Sequence, residues 1–143
     1  HSGGFRAAIS EGLTVITDQQ SVAFFQAVAN RPATIAPDAL ANNPKPATVQ
    51  GVDGQMTLSD TSMTVNLYRV AGNQHADTML MAHFPRERIL VEVDVYTPGS
   101  AVAPYAASLL ENIQKLKLRV DRIVPLHVTP APFGDLVKTA AAK

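Results

Sequence analysis

Two histidines and one aspartate stand where a site could be built. His75 lies in AGNQHAD, a turn ahead of an apolar run. Asp94 lies near the end of ILVEVDVYTP, an apolar run that enters a Pro-Gly loop. His127 directly follows RIVPL. Polar residues at strand ends that converge on one rim are the usual way helix–strand proteins assemble a site. Imidazole nitrogen and carboxylate oxygen together suit zinc, iron or manganese. Plainer roles are open to the same residues. A histidine after an apolar strand can be a hydrogen-bonded structural residue, and Asp94 can cap a turn. His83, between Ala82 and Phe84 in MLMAHFP, reads as an ordinary strand residue. Glu92 and Asp94 stand two apart in one run, share a strand face, and could form a carboxylate pair.

Other chemistries find less support. The glycine pairs in HSGG and GVDG lack a phosphate-loop pattern. There is no G-x-S-x-G nucleophile elbow. Ser2 and Ser10 have no evident base nearby in sequence.

The elements that must position these residues can be read from periodicity. Residues 3–11 predict a short helix, 13–17 (LTVIT) a strand, and 21–31 a helix capped by Ser21, with Val22, Phe25, Val28 and Ala29 forming its apolar stripe. The Pro- and Asn-rich stretch at 31–47 reads as a loop with room for one helical turn. Strands are expected at 47–52, 54–60, 63–70, 77–85, 88–96 and 121–128, with Asp53-Gly54 as a two-residue hairpin turn between the first two. Leu109, Leu110, Ile113 and Leu116 predict a helix over about 103–118, and PFGDLVKTAAA a closing helix. The fold class is α/β (α+β), with helices on one face of a mixed β-sheet. A sheet covered on one face by its own helices needs something on the other.

The chain has 143 residues, which argues for a single domain, 1–143, able to bury a real core. Apolar residues make up 46%, charged residues 17%, and the formal net charge is zero, so neither nucleic acid nor an anionic membrane is an expected partner. With no cysteine, disulfides and thiolate metal sites are excluded and the redox compartment is open. No apolar run approaches the roughly 18 residues that span a bilayer. The reading is a soluble chain of unknown localisation. A first residue that is histidine rather than methionine points to an upstream piece that was removed, or to a tag.

Taken in order, these segments resemble one family. HSGG, a helix and EGLTVIT resemble the metallo-β-lactamase fold superfamily, where the last histidine of a His-x-His-x-Asp-His motif is followed by a small residue and Gly-Gly. GNQHADTMLMAHFPRERILVEVDVYTP resembles its third metal-ligand segment and its bridging-aspartate segment. DRIVPLHVTPAPFGDLVK resembles its last ligand segment, a strand ending in histidine. Nearly the whole chain is covered. The resemblance implies that His1 is native, that His75 binds a first metal, that Asp94 bridges two metals, and that His1 and His127 bind the second. The metal would be zinc, iron or manganese, with partial or no occupancy in this chain. The loops at 31–47 and 96–105 are candidates to border a pocket, with Tyr96 and Tyr105 lining it.

Departures from the family pattern qualify what it implies. The earlier part of the metal motif is absent, as is the N-terminal β-layer that covers the other sheet face. Val128 follows His127 where many members have glycine. The expected function is therefore the C-terminal portion of a metal-dependent hydrolase of the ester, lactone, amide or thioester class, inactive as this isolated chain. Two other readings stand beside it. One is a non-catalytic homodimer that completes the sandwich sheet on sheet. The other is a plain α+β binding domain in which the His and Asp positions are coincidence. The expected partners are a second copy or a missing N-terminal segment.

Overall fold

The computed structural model describes residues 3–100 and 103–142. Its backbone groups into two compact units, His1–Asp53 and Gly54–Lys143.

The first unit holds α1 (Phe5–Ser10), β1 (Val15–Asp18), a 3-10 turn at Gln19–Ser21, α2 (Val22–Ala29), α3 (Ala39–Asn42) and β2 (Val49–Val52). β1 and β2 pair in parallel, Val15 opposite Val49 through Asp18 opposite Val52. Phe5, Ile9 and Leu40 form the buried centre, with Phe25, Val28 and Ala29 of the expected α2 stripe packed against them. Ser21 stands at the α2 N-cap but makes no side-chain cap bond. The 3-10 turn before it is capped by Asp18, whose carboxylate accepts from the Gln20 N–H at 2.9 Å.

Arg6 is the clamp of this unit. Its Nη1 donates to the carbonyls of Ala29 and Arg31 at 3.1 and 3.0 Å, filling acceptors left open at the end of α2. Its Nε and Nη2 bind both oxygens of Asp38, a bidentate pair. The Arg6 hydrogen bond, then the Ala41 N–H, bring the Asp38 carboxyl from its ordinary 3.8 down to about 2. A depressed carboxylate contributes stability above its unfolded value and loses it as pH falls through its folded value. Urea midpoints should therefore drop between pH 3.8 and about 2, and Arg6→Met should flatten that stretch of the profile. An unchanged slope in Arg6→Met would show that the pair contributes nothing.

The second unit is a six-stranded mixed sheet in the order β3-β4-β5-β6-β7-β8. Its strands are β3 (Gln55–Ser59), β4 (Thr64–Arg69), β5 (Leu80–Phe84), β6 (Ile89–Glu92), β7 (Arg122–Pro125) and β8 (Ala131–Pro132). Neighbours are antiparallel except β6 and β7, which run in parallel. Helices α4 (Ala106–Lys115) and α5 (Phe133–Ala141) complete the unit. Alternation places Met81, Leu90 and Ile123 on the buried face of β5, β6 and β7. They join Leu109 and Ile113 of α4 and Leu136 of α5 in one core. His83 belongs to the same buried face, and its Nε2 lies 3.0 Å from the Arg119 carbonyl.

The mixed α/β class agrees with the reading from sequence. The Asp53-Gly54 hairpin does not. β2 pairs with β1 and β3 with β4, so the dipeptide joins strands of different sheets. Gly54 does take the left-handed φ of 75° that such a turn signal announces. Two strands also end early. β6 stops at Glu92 and β7 at Pro125, which leaves Asp94 and His127 in loops.

Candidate metal centre

Topology brings three of the expected residues to one rim. β6 and β7 are parallel, with Glu92 opposite Pro125. Asp94 and His127 each follow two residues later, so both leave the same end of the sheet. β5 is antiparallel to β6, so its beginning lies at that end too. His75 stands in the turn that leads into β5.

The side chains meet there. His127 Nε2 lies 3.3 Å from Asp94 Oδ1, and His75 Nε2 lies 3.7 Å from Asp94 Oδ2. Each carboxylate oxygen thus faces one imidazole nitrogen. The histidine side chains are half exposed, at 43% and 55%, whereas that of Asp94 is 21% exposed. The site is open to solvent on the histidine side. The Tyr105 ring, just before α4, sits 5.5 Å from the His75 ring and forms one wall. Tyr96, expected beside it, is a core residue only 2% exposed. His1 lies outside the described residues.

Three polar residues set the loops that carry these groups. Asn73 Oδ1 accepts from the His75 N–H at 2.7 Å. Asn112 on α4 grips the same turn, accepting from Ala71 N at 3.0 Å and donating to Ala71 O at 2.8 Å. Glu92 Oε2 accepts from the N–H groups of Val95 and Tyr96 at 2.9 and 3.3 Å. Glu92 is therefore not the surface half of a carboxylate pair. It is 2% exposed and turned inward, while the backbone at Asp94 swings to a left-handed φ of 60° and leaves the strand. Burial raises the Glu92 carboxyl above its ordinary value, against the two backbone donors. An N-x-H turn and a glutamate two residues before the aspartate were the available sequence signals.

The donor chemistry fits a transition metal. Two ligand atoms each at roughly 2.0–2.1 Å from a tetrahedral ion stand about 3.3 Å apart, which the His127–Asp94 separation matches. Beyond hydrogen-bond range, the His75–Asp94 gap of 3.7 Å also leaves space for an ion between the two groups. Among the described residues, no group of three or more His, Cys, Asp and Glu could by itself hold a metal ion. The arrangement is two donor pairs that share one carboxylate.

Elsewhere, the loop at 31–47 lines a groove of about 550 Å³, with Arg6, Arg31, Leu40 and Lys45 among its walls. That lining holds no His, Asp or Glu, so it offers no acid–base pair. No described helix is long and apolar enough to cross a membrane.

No family model and no curated protein matches the sequence. Solved structures do match the fold. A metallo-β-lactamase from Pontibacter korlensis aligns with a TM-score of 0.61 at 17% identity, covering 97% of this chain and 61% of its own. The DIM-1 metallo-β-lactamase aligns at 0.68 and 12% identity, covering 99% and 62%. A flavodiiron core from a Synechocystis species aligns at 0.64 and 16%, covering 95% and 38%. The chain thus spans about three-fifths or less of the length of these structures.

Proposed function

We propose that this chain, which has the metallo-β-lactamase fold, forms part of a metal-dependent hydrolase. Its residues 75, 94 and 127 would supply the shared-carboxylate half of a two-metal site. One observation carries the reading: the two oxygens of Asp94 each face the Nε2 of a different histidine. His75 and Asp94 would hold one ion, and His127 and Asp94, joined by His1, the other. Zinc, iron and manganese all suit such ligands. When bound, the metals supply Lewis-acid polarisation and water activation. Asp94 contributes the negative charge shared by both positions, Asn73 holds the backbone of His75, and Tyr105 walls the open side.

The substrate class would be an ester, lactone, amide or thioester, cleaved at its scissile carbonyl by addition of water. Two donor pairs are too few for full coordination of either ion, so the 143 residues alone would be inactive. The test is a panel of these substrates with added zinc, run on this chain and on a chain extended by a His-x-His-x-Asp segment. Metal-dependent turnover only in the extended chain, lost in Asp94→Asn, is the expected result. Turnover indifferent to chelator or to Asp94→Asn would overturn the proposal.

A further inference from the structure

We infer that Glu92 is the positioning residue of this site, tying the Asp94 loop and the His127 loop to one point; the inference rests on the metal-centre reading above. Asp94 has φ 60°, a conformation that L side chains rarely adopt, although aspartate tolerates it better than most. Such a residue persists where its surroundings over-determine it. Here Glu92 Oε2 takes the N–H groups of Val95 and Tyr96 and closes a ring of hydrogen bonds around Asp94. The backbone carbonyl of Glu92 also accepts from the Leu126 N–H at 3.1 Å. Leu126 immediately precedes His127. The same residue therefore fixes where the carboxylate leaves β6 and where the imidazole leaves β7.

Packing does not account for a glutamate here. The position is 2% exposed, and its Oε1 has no hydrogen-bond partner among the described residues. An apolar side chain would fill the same space without burying a carboxyl, but it would strand two buried N–H donors. Both bonds end on a single oxygen. A glutamine carbonyl can accept both, with its NH2 in the place of Oε1. The role is that of an acceptor rather than of a charge.

The experiment uses the full chain and two readouts. The first needs no metal. In wild type, Asp94→Asn should shift the imidazole 15N resonances of both His75 and His127. In a Glu92→Ala background those shifts should vanish, and in a Glu92→Gln background they should persist. The second readout is zinc affinity by calorimetry, expected to fall about 10–100-fold in Glu92→Ala, the usual cost of losing a residue that orients a ligand, and to stay near wild type in Glu92→Gln. If Glu92→Ala does not fold, Glu92→Gln alone decides: retained coupling supports the inference. Coupling unchanged in Glu92→Ala, coupling lost in a folded Glu92→Gln, or no coupling in wild type overturns it. Absence of zinc binding in the chain extended by a His-x-His-x-Asp segment would instead defeat the metal-centre reading, and the metal-free spectra would still judge Glu92.

Discussion

Asp94→Asn is expected to lower zinc affinity by more than about 100-fold, exceeding the roughly 10–100-fold cost of losing an outer-shell partner, while leaving the fold intact. Asparagine suits the test because it is nearly isosteric and, like aspartate, accepts the left-handed backbone observed at residue 94. Alanine there would confound lost ligation with backbone strain. The effect is large because Asp94 is the one group common to both donor pairs. Removing His75 or His127 disables one pair, whereas removing the carboxylate charge disables both. Calorimetric zinc titration, beside a thermal unfolding curve, separates affinity from stability. Equal zinc affinity in Asp94→Asn would show that the metal, if bound, lies elsewhere.

Leu90→Ala should produce the largest loss of stability, about 2–5 kcal/mol. Leu90 is fully buried on β6, directly opposite Ile123 of β7, which is fully buried as well. Truncation removes the apolar area and leaves a cavity that a sheet pinned on both sides closes poorly. Since domains are stable by only about 5–15 kcal/mol, much of the margin would go. Leu90 also stands two residues before Glu92, so a slackened β6 should loosen the rim and weaken zinc binding in turn. Urea unfolding of Leu90→Ala, Ile123→Ala and the double variant would measure this. The two single losses should not add, because the side chains are direct neighbours. A Leu90→Ala loss below about 1 kcal/mol would contradict the assignment of these residues to a close-packed core.

The parts legible in the sequence were those with a strong period or a strong punctuation mark. The run ILVEV announces a strand, and Met81, Leu90 and Ile123 fall inside as alternation requires. His75, Asp94 and His127 stood out because each sits beside such a run, and topology then does bring them together. Asp53-Gly54 misled because a turn dipeptide marks a change of direction without naming the partner strand, and here the partners lie in two sheets. β8 spans only Ala131–Pro132, too short to show any period. Glu92 follows Leu90 in alternation onto the buried face of β6, where a surface carboxylate pair cannot form. Tyr96 reads from sequence as a loop residue at a pocket edge, but beyond the left-handed residue at 94 it is buried in the core. Sequence spacing cannot register a reversal of φ at one non-glycine position.

Metal ions held between Asp94 and each of the two rim histidines would show in the imidazole NMR spectrum during a zinc titration. His83 is an internal control, buried in the core and engaged with the Arg119 carbonyl. The His75 and His127 resonances should move together as zinc is added, and that of His83 should stay still. Zinc that moves His83, or that leaves His75 and His127 unmoved, would contradict metal binding there.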